Sequence, residues 1–384
     1  MAIVSVLVVG ACGDDNGDES DEGASDTDVD ETSTSSGGAA IGRVMITADW
    51  RSKTLSICDF DLLAAGAQTR DEILVETVDL SAYEPGPIEV ELTPDATSAV
   101  VSVSPGFFDG IVGTTLGITD IPLQGTQLVV DIATATVVAE VPTAHVPMGI
   151  AISPDGARAY TANFGIEGAV GSTITIVDLQ TLTVVEDVEV GPRPEQISIS
   201  TDGTLGIVSL DGDDAAVRVF QTADVAGTIS DRLHTAGDPS DVDFIAGTSL
   251  AVVANSIDPS NYSVLDVSDP SAPVIAFDSE APGGFPYGAT PIPGTTHFLM
   301  TIANDAIEYH RIDAASNPPT TVWESVLDGV RSFPLGIAVA ADAGLAVSGA
   351  LGANVLVVVE LDGGTARTIP WQTEPGPTYV AIAN

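Results

Sequence analysis

The chain has 384 residues, of which 55 are acidic and 11 basic, for a formal charge of −44. A charge of that sign and size excludes nucleic acid as a partner, because phosphates would be repelled, and excludes docking on anionic lipid through a basic patch. Two cysteines exclude a disulfide scaffold or a cysteine-rich zinc domain, while 44% hydrophobic residues supply a sizeable core. The length fits two or three average domains or one large β architecture.

Residues 2–11, AIVSVLVVGA, form an unbroken apolar or small run. It is too short to span a bilayer as a helix and suits the core of a secretory signal. It ends in Val9-Gly10-Ala11-Cys12, which resembles the lipobox of bacterial lipoproteins, although no Lys or Arg precedes it. The resemblance implies a signal segment over 1–11, lipidation of Cys12 and an extracytoplasmic, membrane-anchored address in the periplasm or at the cell surface. Residues 13–40 then hold ten acids, no base and one large apolar residue, Val29. Such a segment cannot bury enough surface to offset its ordering entropy, so 12–40 reads as an extended acidic tether.

From about residue 41 to 384 one motif recurs. Its clearest copy runs from Pro147 to Gly191, with four β-rich runs: GIAIS, RAYTANF, TITIVDL and VVEDVEV. Ser153-Pro154-Asp155-Gly156 supplies a tight turn between the first two. The layout returns after prolines 87, 147, 194, 239, 286, 334 and 377, at spacings of 60, 47, 45, 47, 48 and 43. Third runs end in an acid at Asp59, Asp131, Asp178, Asp266 and Asp313, with Asp362 slightly later and Gln221 in place of an acid. A four-strand unit of about 45 residues has the period of a propeller blade.

After Pro377 only TYVAIA remains, whereas GRVMITADW (42–50), TLSICDF (54–60) and ILVETVDL (73–80) precede the first anchor. The C-terminal run therefore completes the blade that the N-terminal runs begin. The expected fold is all-β: a seven-bladed β-propeller of four-stranded antiparallel blades, closed by terminal strands sharing one blade. The insert at 106–126 accounts for the 60-residue spacing and is placed between the second and third strands of its blade.

The repeat resembles the YVTN-type β-propeller repeat, best in SPDGARAYTANF and TITIVDLQTLTVV. Lactonase-like seven-bladed propellers and WD40-like rings share the look. The motif specifies fold strongly and function poorly.

Loops entering the inner strands, and those joining second to third strands, gather on one face around the axis, where a ligand is expected. That face collects His145, Arg193, Glu195, Asp238, Asp241, Tyr287 and Arg331, together with Phe107 and Phe108 of the insert. Such a mix suits a surface protein or a polysaccharide, bound by a monomer whose only membrane contact is the lipid. Glu195 and Asp241 are the pair that a lactonase-like hydrolase, with or without a divalent cation, would use to activate water. Asp211-Gly212-Asp213-Asp214 offers acids to Ca²⁺, yet it falls where a blade needs a polar turn. No cofactor is expected. There is no HExxH and no GxSxG, and the serines are placed in turns or exposed strand positions. Cys58 is read as a buried, inert thiol.

Setting aside the ten tether acids leaves 45 acids against 11 bases, so a charge of −34 belongs to the remainder, which has a single lysine, Lys53. Self-repulsion at that charge predicts a Tm that rises with added salt. Thermal melts at low and high NaCl check this, and a flat response would disprove it.

Overall fold

The computed structural model describes residues 41–50, 52–83, 86–103, 124–166, 169–212, 214–257, 259–304, 306–328, 330, 334–351, 353–371 and 377–383. The signal segment, Cys12 and the tether lie outside the described residues. Seven four-stranded antiparallel sheets stand in a ring. Blade 1 joins the C-terminal strand Tyr379–Ile382 to Val44–Asp49, Thr54–Asp59 and Leu74–Asp79. The inner strands of blades 2 to 7 are Pro87–Leu92, Pro147–Ile152, Pro194–Ile199, Asp238–Phe244, Phe285–Pro291 and Ile337–Ala340. Each blade's later strands follow outward in chain order.

The anchor prolines have a mechanical role. In blades 2 to 6 the ladder between inner and second strand slips just after the proline, at Pro87/Glu89, Pro147/Ile150, Pro194/Ile197, Pro239/Asp241 and Pro286/Ala289. Proline has no N–H to give, and a bulge beside it turns extra side chains inward. In three of these blades a buried hydroxyl of the second strand takes the N–H that the bulge frees. Glu89 N–H donates to Ser102 Oγ (3.2 Å), Gln196 N–H to Ser209 Oγ (2.9 Å) and Gly288 N–H to Thr301 Oγ1 (2.8 Å). The placement of serines in turns or exposed strand positions is thereby corrected: Ser56, Ser102, Ser209, Ser263 and Ser348 are fully buried. A buried hydroxyl is stable where a backbone or side-chain group pairs with it.

The acids closing the third runs are turn caps. Asp131 Oδ1 accepts from Thr134 N–H (2.8 Å), Asp178 Oδ1 from Gln180 and Thr181 N–H (2.9 and 2.7 Å), and Asp266 Oδ1 from Ser268 N–H (2.9 Å). Asp59 does the same for a short helix, Phe60–Ala64, which with Arg70–Ile73 fills the connection to the outer strand of blade 1. The sequence reading lacked both helices, because single turns are too short to show a 3.6-residue period. In blade 2 the third strand begins at Gln124, so the insert ends before 126, while 104–123 lie outside the described residues. Cys58 is buried in the third strand of blade 1 as expected, and burial pushes its thiol well up.

Blades pack face to face through apolar side chains. Between blades 3 and 4, for example, Tyr160, Ile174 and Val188 meet Val208, Leu210 and Phe220. Burying each aliphatic side chain contributes about 1.5–3 kcal/mol. The inner strands of blades 3, 6 and 7 carry glycine two residues after the anchor, and a Cβ there would intrude on the neighbouring blade. At Gly336 it would strike the Tyr379 ring, and at Gly149 the Gln196 side chain and backbone. Gly336→Ala is expected to cost about 1–3 kcal/mol by displacing Tyr379. Urea denaturation checks this: a lower midpoint at unchanged slope supports the packing, and an unchanged midpoint refutes it.

Candidate functional site

The inner strands leave an axial channel whose lining follows from their register. Counting from the anchor proline, the second residue is Glu89, Gly149, Gln196, Asp241, Gly288, Gly336 and Tyr379 in blades 2, 3, 4, 5, 6, 7 and 1. The fourth is Glu91, Ala151, Ser198, Asp243, Thr290, Ala338 and Ala381. The glycines make room for the long side chains. Gln196 lies across Gly149, and its Nε2 donates to Glu89 Oε2 (2.6 Å) and to Tyr379 Oη (2.7 Å). Glu89 Oε1 accepts Ile150 N–H (2.8 Å). One amide and one carboxyl thus tie blades 1, 2, 3 and 4 together around the axis.

Asp241 performs the same service on the other side. Its Oδ2 accepts Ala289 N–H of blade 6 (2.8 Å), and its Oδ1 accepts Val242 N–H (2.8 Å). Below it, Asp243 Oδ1 accepts from Ser198 Oγ (2.5 Å) and Phe244 N–H (2.7 Å). Glu195, nearly fully buried, accepts from Tyr287 Oη at 3.3 Å and feels the charges of Asp211, Asp241 and Asp238.

Burial, more than any neighbour, raises the pKa of all these acids. Desolvation lifts Glu91 to about 8, with Asp243 adding repulsion. Asp241 rises to about 7 and Asp243 to about 6, in each case against hydrogen bonds that favour the anion. Asp211 reaches about 6, by burial and then by Asp238, with Arg193 pulling it back slightly. Glu89 and Glu195 are held well above the carboxylate range by desolvation. Burial therefore leaves the channel with less negative charge near neutral pH than its count of acids implies, Glu91 above all.

The upper mouth is divided by chemistry. Ile88, Tyr287 and Leu335, each directly after its anchor, cluster with Trp50, Ala303 and Leu351 on one side. On the other side stand Glu195, Asp211 and Asp238. Arg193, in the left-handed region with φ of 51°, stacks 5.6 Å over the Phe164 ring, and its carbonyl accepts Asp211 N–H (2.9 Å). An open cleft of ≈ 360 Å³ lies beside this acidic side, lined by Gly212, Ala215, His234, Thr235, Ala236, Gly237 and Asp238.

Of the residues expected at this face, Glu195, Asp241 and Tyr287 come together, with Asp238 and Arg193 nearby. His145 ends the outer strand of blade 2, exposed and paired in register with Gln124. Phe107, Phe108 and Arg331 lie outside the described residues, as does Asp213. Ala215 N–H donates to Gly212 O (3.0 Å), and Asp214 pairs with Arg232. No group of three or more metal-ligating side chains occurs among the described residues. His297, His310 and His234 are spread over second, third and outer strands, and His310 pairs with Glu308 (3.1 Å). Glu89, Glu91, Gln196, Asp243 and Tyr379 were missed, although the alternation Ile-Glu-Val-Glu-Leu at 88–92 marks an inward-facing pair of acids.

No family model matches the chain, and no curated protein matches it. Its fold is similar to that of several solved structures. A functionally unknown protein from Desulfotomaculum acetoxidans DSM 771 superposes with a TM-score of 0.68 at 14% identity, over 89% of this chain and 99% of that one. Kuenenia stuttgartiensis hydrazine synthase gives a TM-score of 0.61 at 17% identity, over 77% of this chain and 89% of that one. The WD40 repeats of RRP9 give 0.58 at 12% identity, over 77% and 83%. At such identities the likeness is one of fold.

The channel acids set the pH dependence of stability. Glu91, Asp241 and Asp243 hold their protons in the fold up to about pH 8, 7 and 6 but ionise near pH 4 when unfolded. The unfolded state therefore binds fewer protons between these limits, and stability falls as pH rises from about 4 to about 8. The exposed turn caps, such as Asp131, Asp178 and Asp202, have lowered pKa values, and their contribution is lost as pH falls below about 4. Tm measured across pH 3–9 is expected to peak at mildly acidic pH. A maximum at pH 7 or above would contradict the raised pKa values of the channel acids.

Proposed function

We propose that the chain is a binding or scaffolding propeller that acts outside the cytoplasm, held to a membrane through lipid on Cys12. Its upper-face loops would capture a surface protein or polysaccharide. The observation that supports this reading most is the use made of the channel acids. Both oxygens of Glu89 and both of Asp241 accept hydrogen bonds, several of them from neighbouring blades. Groups engaged in this way hold the ring and make it a rigid platform. The chemistry open to a partner then lies at the rim, with Arg193, Asp211, Asp238 and His145; Phe107 and Phe108 of the insert are proposed as further contacts from the sequence.

A lactonase-like hydrolase is the second reading, and Glu195 is the observation in its favour. It sits buried among Asp211, Asp238 and Asp241 and accepts one long bond from Tyr287. In that reading Glu195, with its pKa raised, would shuttle a proton to and from water. Asp241 suits it less well, because two backbone N–H groups occupy its oxygens.

Photo-crosslinking on intact cells, with the full chain as bait, tests the first reading. A captured partner is expected to be lost in a Phe107→Ala/Phe108→Ala variant whose Tm is unchanged. Equal capture by both forms, or none, would overturn a rim-based scaffold. Hydrolysis of a lactone panel by the purified chain, abolished by Glu195→Gln, would establish the hydrolase instead.

A further inference from the structure

Six of the seven seams between blades are filled by clusters of nine to fourteen buried apolar residues. The seam between blades 2 and 3 has five: Val100, Val141, Ile150, Ala159 and Val177. The rest of that seam is polar. Ser102, Gln127 and Val141 stand opposite one another in the register of blade 2, and Ile150, Thr161 and Thr175 in that of blade 3. Residues directly opposite in antiparallel strands share a face, so Val141 and Ile150 place these two rows against each other.

Four polar atoms on this seam have no hydrogen-bond partner, three on these rows and one on Asn163, two residues beyond Thr161 on the same face of the strand. They are Oε1 and Nε2 of Gln127, Oγ1 of Thr161 and Oδ1 of Asn163, and all three side chains are fully buried. Exchanging O and N by rotating an amide does not help. Both atoms of Gln127 are unpartnered, and rotating Asn163 merely exchanges an orphaned oxygen for an orphaned nitrogen, because its Nδ2 is bound to Thr173 and Thr175 (3.1 and 2.9 Å). A buried polar group left unpaired forfeits its hydration without compensation, so four on one seam is a large penalty for a native ring.

We propose that this seam is a binding site for internal water, with Gln127, Thr161 and Asn163 as its ligands. The donor and acceptor inventory fits. Gln127 Nε2 and the Thr161 hydroxyl donate, whereas Gln127 Oε1, Thr161 Oγ1 and Asn163 Oδ1 accept. A water molecule does both and makes about three such bonds when buried. A metal ion is a poor match, because none of the three is a carboxylate or imidazole, and the acids that end the two rows, Glu89 and Asp187, already accept hydrogen bonds from Ile150, Gln196 and Thr175. The seam is then a wet joint between two blades.

The test uses the full chain. A high-resolution crystal structure is expected to show ordered water within hydrogen-bond distance of Gln127, Thr161 and Asn163. Thr161→Val separates the alternatives by sign. If water bridges the three, removing the hydroxyl breaks the network and lowers Tm by about 2 °C. If the seam is dry, the same change removes an unpaired hydroxyl and Tm holds or rises. Density without water at these atoms, or a Tm that does not fall, would overturn the proposal.

Discussion

The whole ring rests on one antiparallel pairing. Tyr379–Ile382 bonds to Val44–Asp49, with Met45 opposite Ile382 and Ala48 opposite Tyr379. Without it blade 1 has no inner strand, and the channel loses Tyr379. Thr378 locks the joint from above, since its Oγ1 donates to Ala48 O (2.9 Å) and to Ile88 O (2.8 Å) of the next blade. Asp49, at the end of the same strand, accepts from Thr47, Ser56 and Trp371 of blade 7. Closure is thus secured toward both neighbouring blades.

Around that joint, the interior combines burial with abundant acid. The fold is rich in carboxylates and poor in bases, and several carboxyls end up at the axis, where neither lysine nor histidine stands among the described residues of the inner strands. Protonation and hydrogen bonds to backbone amides make this tolerable, at the expense of stability at higher pH. Glu89, Gln196 and Asp241 thereby become cross-blade struts, and the external loops are left to recognise a partner.

The architecture was legible because most blades repeat the same local chemistry: anchor proline, short inner strand, a tight turn rich in Asp or Gly, and an acid closing the third strand. Even the shared blade followed from counting runs at the two ends. The site was legible only in part. Glu195, Asp241 and Tyr287 were found because they lie beside anchors. Gln196 and Tyr379 were not, because their meeting depends on glycines 149 and 336 in blades whose own sequence gives no hint of what crosses them. The buried serines were misplaced for a related reason: their partners are not visible as periodicity, being bulge N–H groups for Ser102 and Ser209 and side chains of Asp49, Asp278 and Tyr309 for Ser56, Ser263 and Ser348.

Strand direction also fixes how the molecule would be presented. Inner strands run from the mouth with Arg193 and Glu195 toward the opposite face, and Val44–Asp49 runs back against Tyr379–Ile382. The chain therefore enters the ring from the face opposite the acidic mouth. Whatever is joined upstream of residue 41 attaches to the underside and leaves the acidic mouth uncovered.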